Sequence, residues 1–405
     1  MQADRAVLVI NSGSSSVKFA LFDAASNEAR RVCSGALERI GFEQGSFIVT
    51  DVQGSPSVDE APALPNHHVA LDLLLGWIER RSTQIGLLGV GHRVVHGGED
   101  CDCPLLITPQ VEALLRRLVP LAPLHLPHNL AGIVAVRLRR PDLPQVACFD
   151  TAFHQSLPRL SRLTGLPRRF EEDGIRRYGF HGLSYEFVVD EVKRRSGGTV
   201  DERIIIAHLG NGASMAAIKN GRSVETTMGF STLAGLPMGT RPGDLDPGIL
   251  LHLLIEKQMS PKALRTLLYD ASGLLGISGL SRNMADLLAR QDTPEAAEAV
   301  AFFCHHARRH LAGLTAALGG LDRLVFTGGI GANSPEIRTR ICEGLDYLGI
   351  ALDAKRNAAQ ERIISADGGA VLVEAFKTDE ELIIARHARN MLNNSSSKAK
   401  AQAHG

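Results

Sequence analysis

The sequence predicts an α/β protein built from two duplicated domains. Three observations carry this. One strand–turn–strand plan occurs once in each half, strands alternate with helical stretches elsewhere, and 405 residues exceed one ordinary core. The first unit opens with the apolar run Ala6-Val7-Leu8-Val9-Ile10, read as a buried strand. The turn Asn11-Ser12-Gly13-Ser14-Ser15-Ser16 follows, and Val17 to Phe22 form a second strand. The second unit runs Ile204-Ile205-Ile206-Ala207-His208-Leu209, then Gly210-Asn211-Gly212, then a strand at 213–218. Asn220-Gly221 is a hairpin signal, and Arg222–Thr226 is the strand after it. A third glycine turn, Thr327-Gly328-Gly329-Ile330-Gly331, follows Leu324-Val325-Phe326.

Two helices are marked by their starts. Thr108-Pro109 supplies an N-cap and a first-turn proline, and Val111, Leu114, Leu115 and Leu118 line one face up to Pro120. Thr293-Pro294-Glu295 starts another, with Val300, Phe303, Ala307, Leu311, Leu314 and Leu318 at helical spacing and Gly319-Gly320 as its end. Residues 41–66 are rich in Gly, Pro and Ser and read as loops with short edge strands. The polar tail from Asn393 onward reads as disordered over 395–405.

Composition excludes several classes. Lys+Arg and Asp+Glu are 44 each, so no general attraction to nucleic acid or to an anionic membrane surface is expected. The runs Arg137-Leu138-Arg139-Arg140 and Arg176-Arg177 read as solvated faces. Six scattered cysteines without paired CxxC spacing fit a reducing compartment, and no signal peptide is apparent, so a cytoplasmic location is expected. Cys101-Asp102-Cys103 reads as surface loop. No apolar run is long enough to span a bilayer. His305, His306 and His310 read as core or surface histidines rather than a metal site.

The chemistry gathers at the glycine turns and at four other segments. Glycine lets the backbone approach a ligand, and successive N–H groups in such turns cradle anions. Three such turns suggest a chain that holds a polyphosphate. Arg93 lies in a short apolar strand ending in Gly97-Gly98, where it reads equally as a bidentate anion ligand and as a strand-edge salt bridge. Arg241 sits in the proline- and glycine-rich loop Gly239–Gly248. Asp150 follows the apolar run Val146-Ala147-Cys148, and a carboxylate at a strand end is well placed for catalysis or metal. His181 lies in Tyr178-Gly179-Phe180-His181-Gly182, where alone it would be an ordinary turn histidine.

Together these segments resemble the acetate kinase family over residues 6 to 390. The resemblance rests on Asn11 to Lys18, His92 to Gly98, Phe149 to Gln155, Arg177 to Gly182, His208 to Ser214 and Gly239 to Gly248, in that order. It implies two ribonuclease-H-like domains of the actin–hexokinase–sugar kinase superfamily with an interdomain cleft. The expected division is 1–150 and 151–382, with a helix over 383–394 packing back on the first. It also implies a homodimer and a Mg-dependent, reversible reaction of acetate and ATP to acetyl phosphate and ADP, with Mn as an alternative ion. Propionate kinase is a close rival reading, and a non-catalytic nucleotide-binding relative is another.

The family's roles fall on named residues. Asn11 and Glu380 would serve the metal, with Glu381 an alternative to Glu380. Lys18 would contact ATP phosphates. Arg93 and Arg241 would grip the carboxylate and the phosphoryl group, and His181 would donate to the phosphoryl oxygens. Val95, Leu124 and Phe180 would line the methyl pocket. The nucleotide would meet His208, Leu209, Gly210, Asn211 and Gly212, then Asn283 and Ala285, then Gly329, Ile330, Gly331, Ala332 and Asn333. Asp150 carries a catalytic role in the family. A carboxylate substrate is already ionised at neutral pH, so Asp150 is expected to orient metal, arginine or water rather than to remove a proton.

The chain departs from the family at several positions. Asn283 and Ala285 replace an Asp and an Arg near the nucleoside, and Ala332 replaces a Glu. Leu126 and His128 stand where Asn and Ala are usual, and Thr232 replaces a pocket Pro. The phosphate and transfer residues are intact, so nucleotide and acyl-chain choice are where differences are expected.

Overall fold

A computed structural model describes residues 4–13, 15–24, 29–82, 85–198 and 200–402. Ser14 of the first turn and the tail end 403–405 lie outside the described residues. The chain divides into two compact units. One is Met1–Ala152 with Asp379–Gly405, and the other is Phe153–Thr378.

The first unit is an eight-stranded sheet. Its strands are β1 (Asp4–Ser12), β2 (Ser16–Asp23), β3 (Arg30–Glu38), β4 (Ser46–Asp51), β5 (Pro56–Glu60), β6 (Ile85–Val94), β7 (Leu105–Leu106) and β8 (Gln145–Phe149). Their order is β5-β4-β3-β2-β1-β6-β8-β7. β1 to β3 form an antiparallel meander, and β6 and β8 add in parallel beyond β1. Helix His67–Ser82 buries Leu71, Leu74, Leu75 and Ile78 against one face, where Phe19, Phe47 and Trp77 meet at 5.8–6.3 Å between rings. On β6, Gly89 and Gly91 let helix Glu380–Gln402 lie close: a Cβ at Gly91 would stand 2.6 Å from Ile384 Cγ2.

The second unit is a five-stranded sheet: β9 (Arg203–Leu209), β10 (Ala213–Lys219), β11 (Arg222–Thr226), β12 (Arg323–Thr327) and β13 (Leu372–Ala375), in the order β11-β10-β9-β12-β13. The meander and the two parallel additions are the same as in β3-β2-β1-β6-β8. Even the register break falls on the same strand, at Leu21/Phe22 of β2 and Ala217/Ile218 of β10. Helix Gly182–Arg195 packs Tyr185, Val188, Val189 and Val192 onto Ile204, Ile206, Ala216 and Ile218, the i, i+3, i+4, i+7 stripe of a buried face. Helix Pro294–Leu318 buries all six residues of its expected apolar set and ends at left-handed Gly319.

Several expectations change. The third glycine turn is the opening of helix Gly328–Asn333, entered at Gly328 with φ +78. A Cβ at Gly328 would strike the Leu209 carbonyl oxygen at 2.6 Å, so the glycine is there for close approach to β9. The C-terminal helix starts at Glu380 and continues to Gln402, so 395–402 are not the disordered tail expected. Its Lys-Ala repeat has high helix propensity, and the helix before it supplies the nucleus. Cys101 is buried, and only Cys103 of that pair is exposed. Arg177 is not a solvated face: its guanidinium donates to the carbonyls of Ser161 and Thr226.

Candidate functional site

The first unit brings four of the expected residues together at the open ends of β1, β6 and β8. Asp150 directly follows β8 and is buried. Arg93 on β6 grips it with both arms, Nε donating to Oδ1 at 2.9 Å and Nη2 to Oδ2. Arg93 Nη1 also reaches Asn11 Oδ1 at 3.3 Å, and Nε stands 3.8 Å from Glu380 Oε2. Burial works against the charge on Arg93, but the Asp150 and Glu380 carboxylates outweigh it and raise its pKa. Burial pushes Glu380 up to about 6; Asp150 and Glu381 add to the rise, while Arg93 and Lys18 oppose it. Glu381 faces elsewhere, onto the Arg31 guanidinium, which also holds Asp379. Lys18 is exposed on β2, in register with Asn11.

Of the expected methyl pocket, this unit holds Val95 and Leu124. Val95 is buried, its N–H donating to Asn129 Oδ1 at 3.1 Å, and Asn129 in turn donates to the Ser12 carbonyl at 2.9 Å. Leu124 is half-buried in the turn before helix Leu126–Arg139. Phe180 belongs to the second unit, where it is buried and its carbonyl accepts from His154 Nε2 at 3.0 Å.

In the second unit His181, Gly212 and Arg241 converge. A Cβ at Gly212 would meet Arg241 Nη2 at 3.0 Å and His181 Nε2 at 3.3 Å. His181 has φ +61, a strained value for a non-glycine residue, and precedes helix Gly182–Arg195. Its Nδ1 is 2.8 Å from Ser214 Oγ, which the Tyr185 hydroxyl also holds, and its ring stacks on His208 at 4.3 Å. The Ser214 contact fixes the ring so that Nε2 points towards Gly212. His208 Nδ1 is held by Ser184 Oγ at 2.7 Å. Arg241 is paired with no carboxylate among the described residues; Nη1 donates to the Thr232 carbonyl at 2.8 Å, and burial lowers its pKa. Thr232 therefore acts on Arg241 through its main chain.

Beside this cluster is a cavity of ≈ 570 Å³. Its lining includes Gly210, Asn211, Asn283, Ala285, Gly329, Ile330 and Asn333 of the expected nucleotide set. Leu209, Gly331 and Ala332 are not in the lining; Leu209 is buried in β9, and the other two are buried in the helix behind it. Arg282, Met284, Leu288 and Ser334 line it without having been singled out from sequence.

Two supporting residues have no role assigned from sequence, although His154 lies in the matching string Phe149 to Gln155. Arg338 is fully buried and donates to the carbonyls of Gly331 (2.9 Å) and Ala332 (3.1 Å), with Asn357 Oδ1 at 2.8 Å. Burial brings its pKa to about 10. His154 is buried between Ser223 and the Phe180 carbonyl and is brought to about 4, so it holds the Phe180–His181 backbone as a neutral ring. One signal within the turns points outward. The buried hydroxyls of Ser12 and Thr327, at the first and third turns, have no hydrogen-bond partner among the described residues, which is uncommon for buried polar atoms.

The sequence profile of the Acetokinase family matches residues 6–386. The acetate kinase of Rhodopseudomonas palustris is 48% identical over 387 residues, which are 94% of this chain and 97% of that protein. The crystal structure of Porphyromonas gingivalis acetate kinase superposes with a TM-score of 0.86 at 36% identity, covering 96% of this chain and 100% of that one. A propionate kinase from Francisella tularensis superposes with a TM-score of 0.90 at 33% identity, covering 95% and 99%.

Proposed function

The chain belongs to the acetokinase family, and we propose that it transfers the terminal phosphoryl group of ATP reversibly to acetate. It is a phosphotransferase that binds a nucleotide. The observation that carries the reading is the convergence of His181 and Arg241 on Gly212, at the end of the second glycine turn. An acetate oxygen forms a bond to the γ-phosphorus as the bond to the ADP oxygen breaks. Such transfer needs positioning and charge neutralisation more than covalent help. His181 Nε2 and the Arg241 guanidinium donate to the phosphoryl oxygens. Arg93 receives the carboxylate. Asp150 orients Arg93, since both its oxygens accept from that guanidinium, and acetate needs no general base. Lys18 and the backbone of Gly210 to Gly212 hold phosphates. Val95, Leu124 and Phe180 limit the acyl chain.

The metal we assign is Mg²⁺, with Mn²⁺ as a substitute. Asn11, Asp150 and Glu380 offer the all-oxygen donor set that hard divalent ions prefer, and Glu380 is raised by burial in a way a nearby cation would relieve. Asn11 and Glu380 would hold it; Arg31 already engages Glu381. When bound, it would neutralise charge on the phosphates.

Two wider expectations go with the reading. A homodimer is supported by helix Pro247–Ile255, whose Leu251 and Ile255 are 58% and 65% exposed. Sedimentation equilibrium tests it. A cytoplasmic location is supported by six scattered cysteines without paired CxxC spacing. Among the described residues no helix is long and apolar enough to cross a membrane.

Propionate is the second reading, favoured by the likeness to the propionate kinase. One methylene in an apolar pocket is worth only ~1–3 kcal/mol, so propionate is expected to be used more slowly than acetate and butyrate more slowly still. Trapping acyl phosphates with hydroxylamine in parallel reactions of the three acids tests both. No acetyl phosphate from ATP, Mg²⁺ and acetate would refute the function, and butyrate as best substrate would refute the pocket.

A further inference from the structure

We infer that His310 is a positioning residue for phosphoryl transfer: together with Asp244 it holds the turn that carries Arg241. The inference rests on the assignment of Arg241 to the transferring group. Arg241 has no carboxylate partner among the described residues, so its placement comes from the main chain around it. Its guanidinium hangs on the Thr232 carbonyl, and its own carbonyl accepts from Met238 N–H at 2.9 Å.

The segment between Thr232 and Asp244 is closed by a reciprocal clasp. Asp244 N–H donates to the Gly235 carbonyl at 2.9 Å, and Gly235 N–H donates to Asp244 Oδ1 at 2.7 Å. Next to the clasp Gly243 has φ +79, and a Cβ there would strike the Gly235 oxygen at 2.5 Å. The turn therefore has one tight geometry. The other Asp244 oxygen, Oδ2, stands 3.5 Å from His310 Nε2. The His310 ring also hydrogen-bonds the Gly235 main chain, so one imidazole touches both sides of the clasp.

The anchor is rigid. His310 sits on helix Pro294–Leu318, between the buried Ala307 and Leu311. The groups around the ring are Asp244 and Asp246 from the loop, His306 and Arg309 from its own helix, and Arg177. Burial lowers the His310 pKa, with Arg309 and Arg177 acting in the same sense and Asp244 against it. A hollow of ≈ 320 Å³ adjoins the ring, which leaves room for other side chains at this position.

The test uses the full-length enzyme with His310→Phe, which keeps a ring and removes its polar atoms, and His310→Gln, which keeps a donor. His310→Phe is expected to lower kcat about tenfold, with KM for ATP within about twofold, the coupling typical of contacting residues. His310→Gln is expected to recover kcat to within about threefold of the parent. In the Arg241→Ala background His310→Phe should add less than about twofold, because both act through one group. Asp244→Ala, which opens the clasp from the other side, should show the same loss confined to kcat. An unchanged kcat in His310→Phe or Asp244→Ala, or a loss carried in full into the Arg241→Ala background, overturns the inference while the role of Arg241 stands. A normal kcat in Arg241→Ala alone overturns that role and the inference with it.

Discussion

Arg93 and Arg241 carry the same charge and are both assigned to the proposed transfer, yet their surroundings are opposite. Arg93 is locked to Asp150 on two bonds, with Glu380 and Asn11 alongside. Arg241 faces His181 across Gly212 and is tied only to a carbonyl. Carboxylates raise the pKa of the first, and burial lowers that of the second. An arginine already paired with carboxylates has less to give to another anion. An arginine left without one meets an incoming phosphoryl group with its charge uncompensated, in a place shielded from water, where such a contact is worth most. The first unit thus builds a fixed, charge-balanced platform. In the proposed reaction the second keeps a positive charge in reserve for the transition state.

Stability separates the two arginines most sharply. Arg93→Ala removes the cation from a buried Asp150 and a partly buried Glu380, so unfolding free energy should fall by ~3–5 kcal/mol. Urea denaturation checks this, and a loss below about 1 kcal/mol would show that the platform is not charge-balanced by Arg93. Arg241→Ala should leave stability within about 1 kcal/mol of the parent, since no carboxylate is abandoned. Its cost should appear in kcat, down ~10²–10³-fold as for loss of one transition-state donor, with KM for ATP little changed. Steady-state kinetics decide it, and a fall of less than about threefold would move the reserve charge elsewhere.

How legible this contrast was in the sequence depends on which link it lives on. The strands at 6–10 and 204–209 and the helix Pro294–Leu318 show in the sequence because burial imposes a period on apolar residues. Arg93 and Arg241 stand out because each lies beside glycines that allow close backbone approach. Their difference does not stand out, because Asp150 and Glu380 come to Arg93 from far along the chain. Arg338, His154 and His310 do not stand out for the same reason: each acts on a carbonyl or carboxylate that only the tertiary fold brings near. At the third glycine run the sequence does not separate a turn from a helix start, because such a run looks alike whether it opens a loop or a helix.

Glu380 gives a smaller effect that sharpens the account of the platform. Its pKa is raised from 4.5 to about 6, chiefly by burial. A raised carboxyl favours the folded state when protonated, so its contribution is full below pH 4.5 and is lost as pH rises through 6. Glu380→Gln removes that dependence. Without added metal, the variant should therefore be more stable than the parent at pH 8 by ~1–2 kcal/mol relative to their difference at pH 4.5. Thermal melts across pH in EDTA read this directly. A difference that is flat with pH would mean that Arg93 and Lys18 fully offset the burial of Glu380.

The smallest effect concerns the nucleotide, and it tests whether the second unit reads more than phosphates. The ≈ 570 Å³ cavity has one charged lining residue, Arg282. Two of its three asparagine amides are already committed, which leaves that of Asn211: Asn283 Oδ1 caps the following helix at Ala285 N–H, 3.1 Å away, and Asn333 Nδ2 donates to the Gly329 carbonyl at 2.9 Å. Met284, Leu288 and Ile330 are apolar, and Ala285 offers no side-chain polar atom. Rejecting a wrong base requires polar groups that are left unpaired by it. The lining has few to leave. ATP and GTP should therefore differ by no more than about tenfold in kcat/KM, a gap of ~1.4 kcal/mol. Main-chain groups could still read adenine, and the kinetics distinguish the two cases. A preference for ATP above about a hundredfold would show that backbone contacts alone supply ~2.7 kcal/mol of discrimination. In that case Asn283→Asp, which keeps the cap, should leave the preference unchanged.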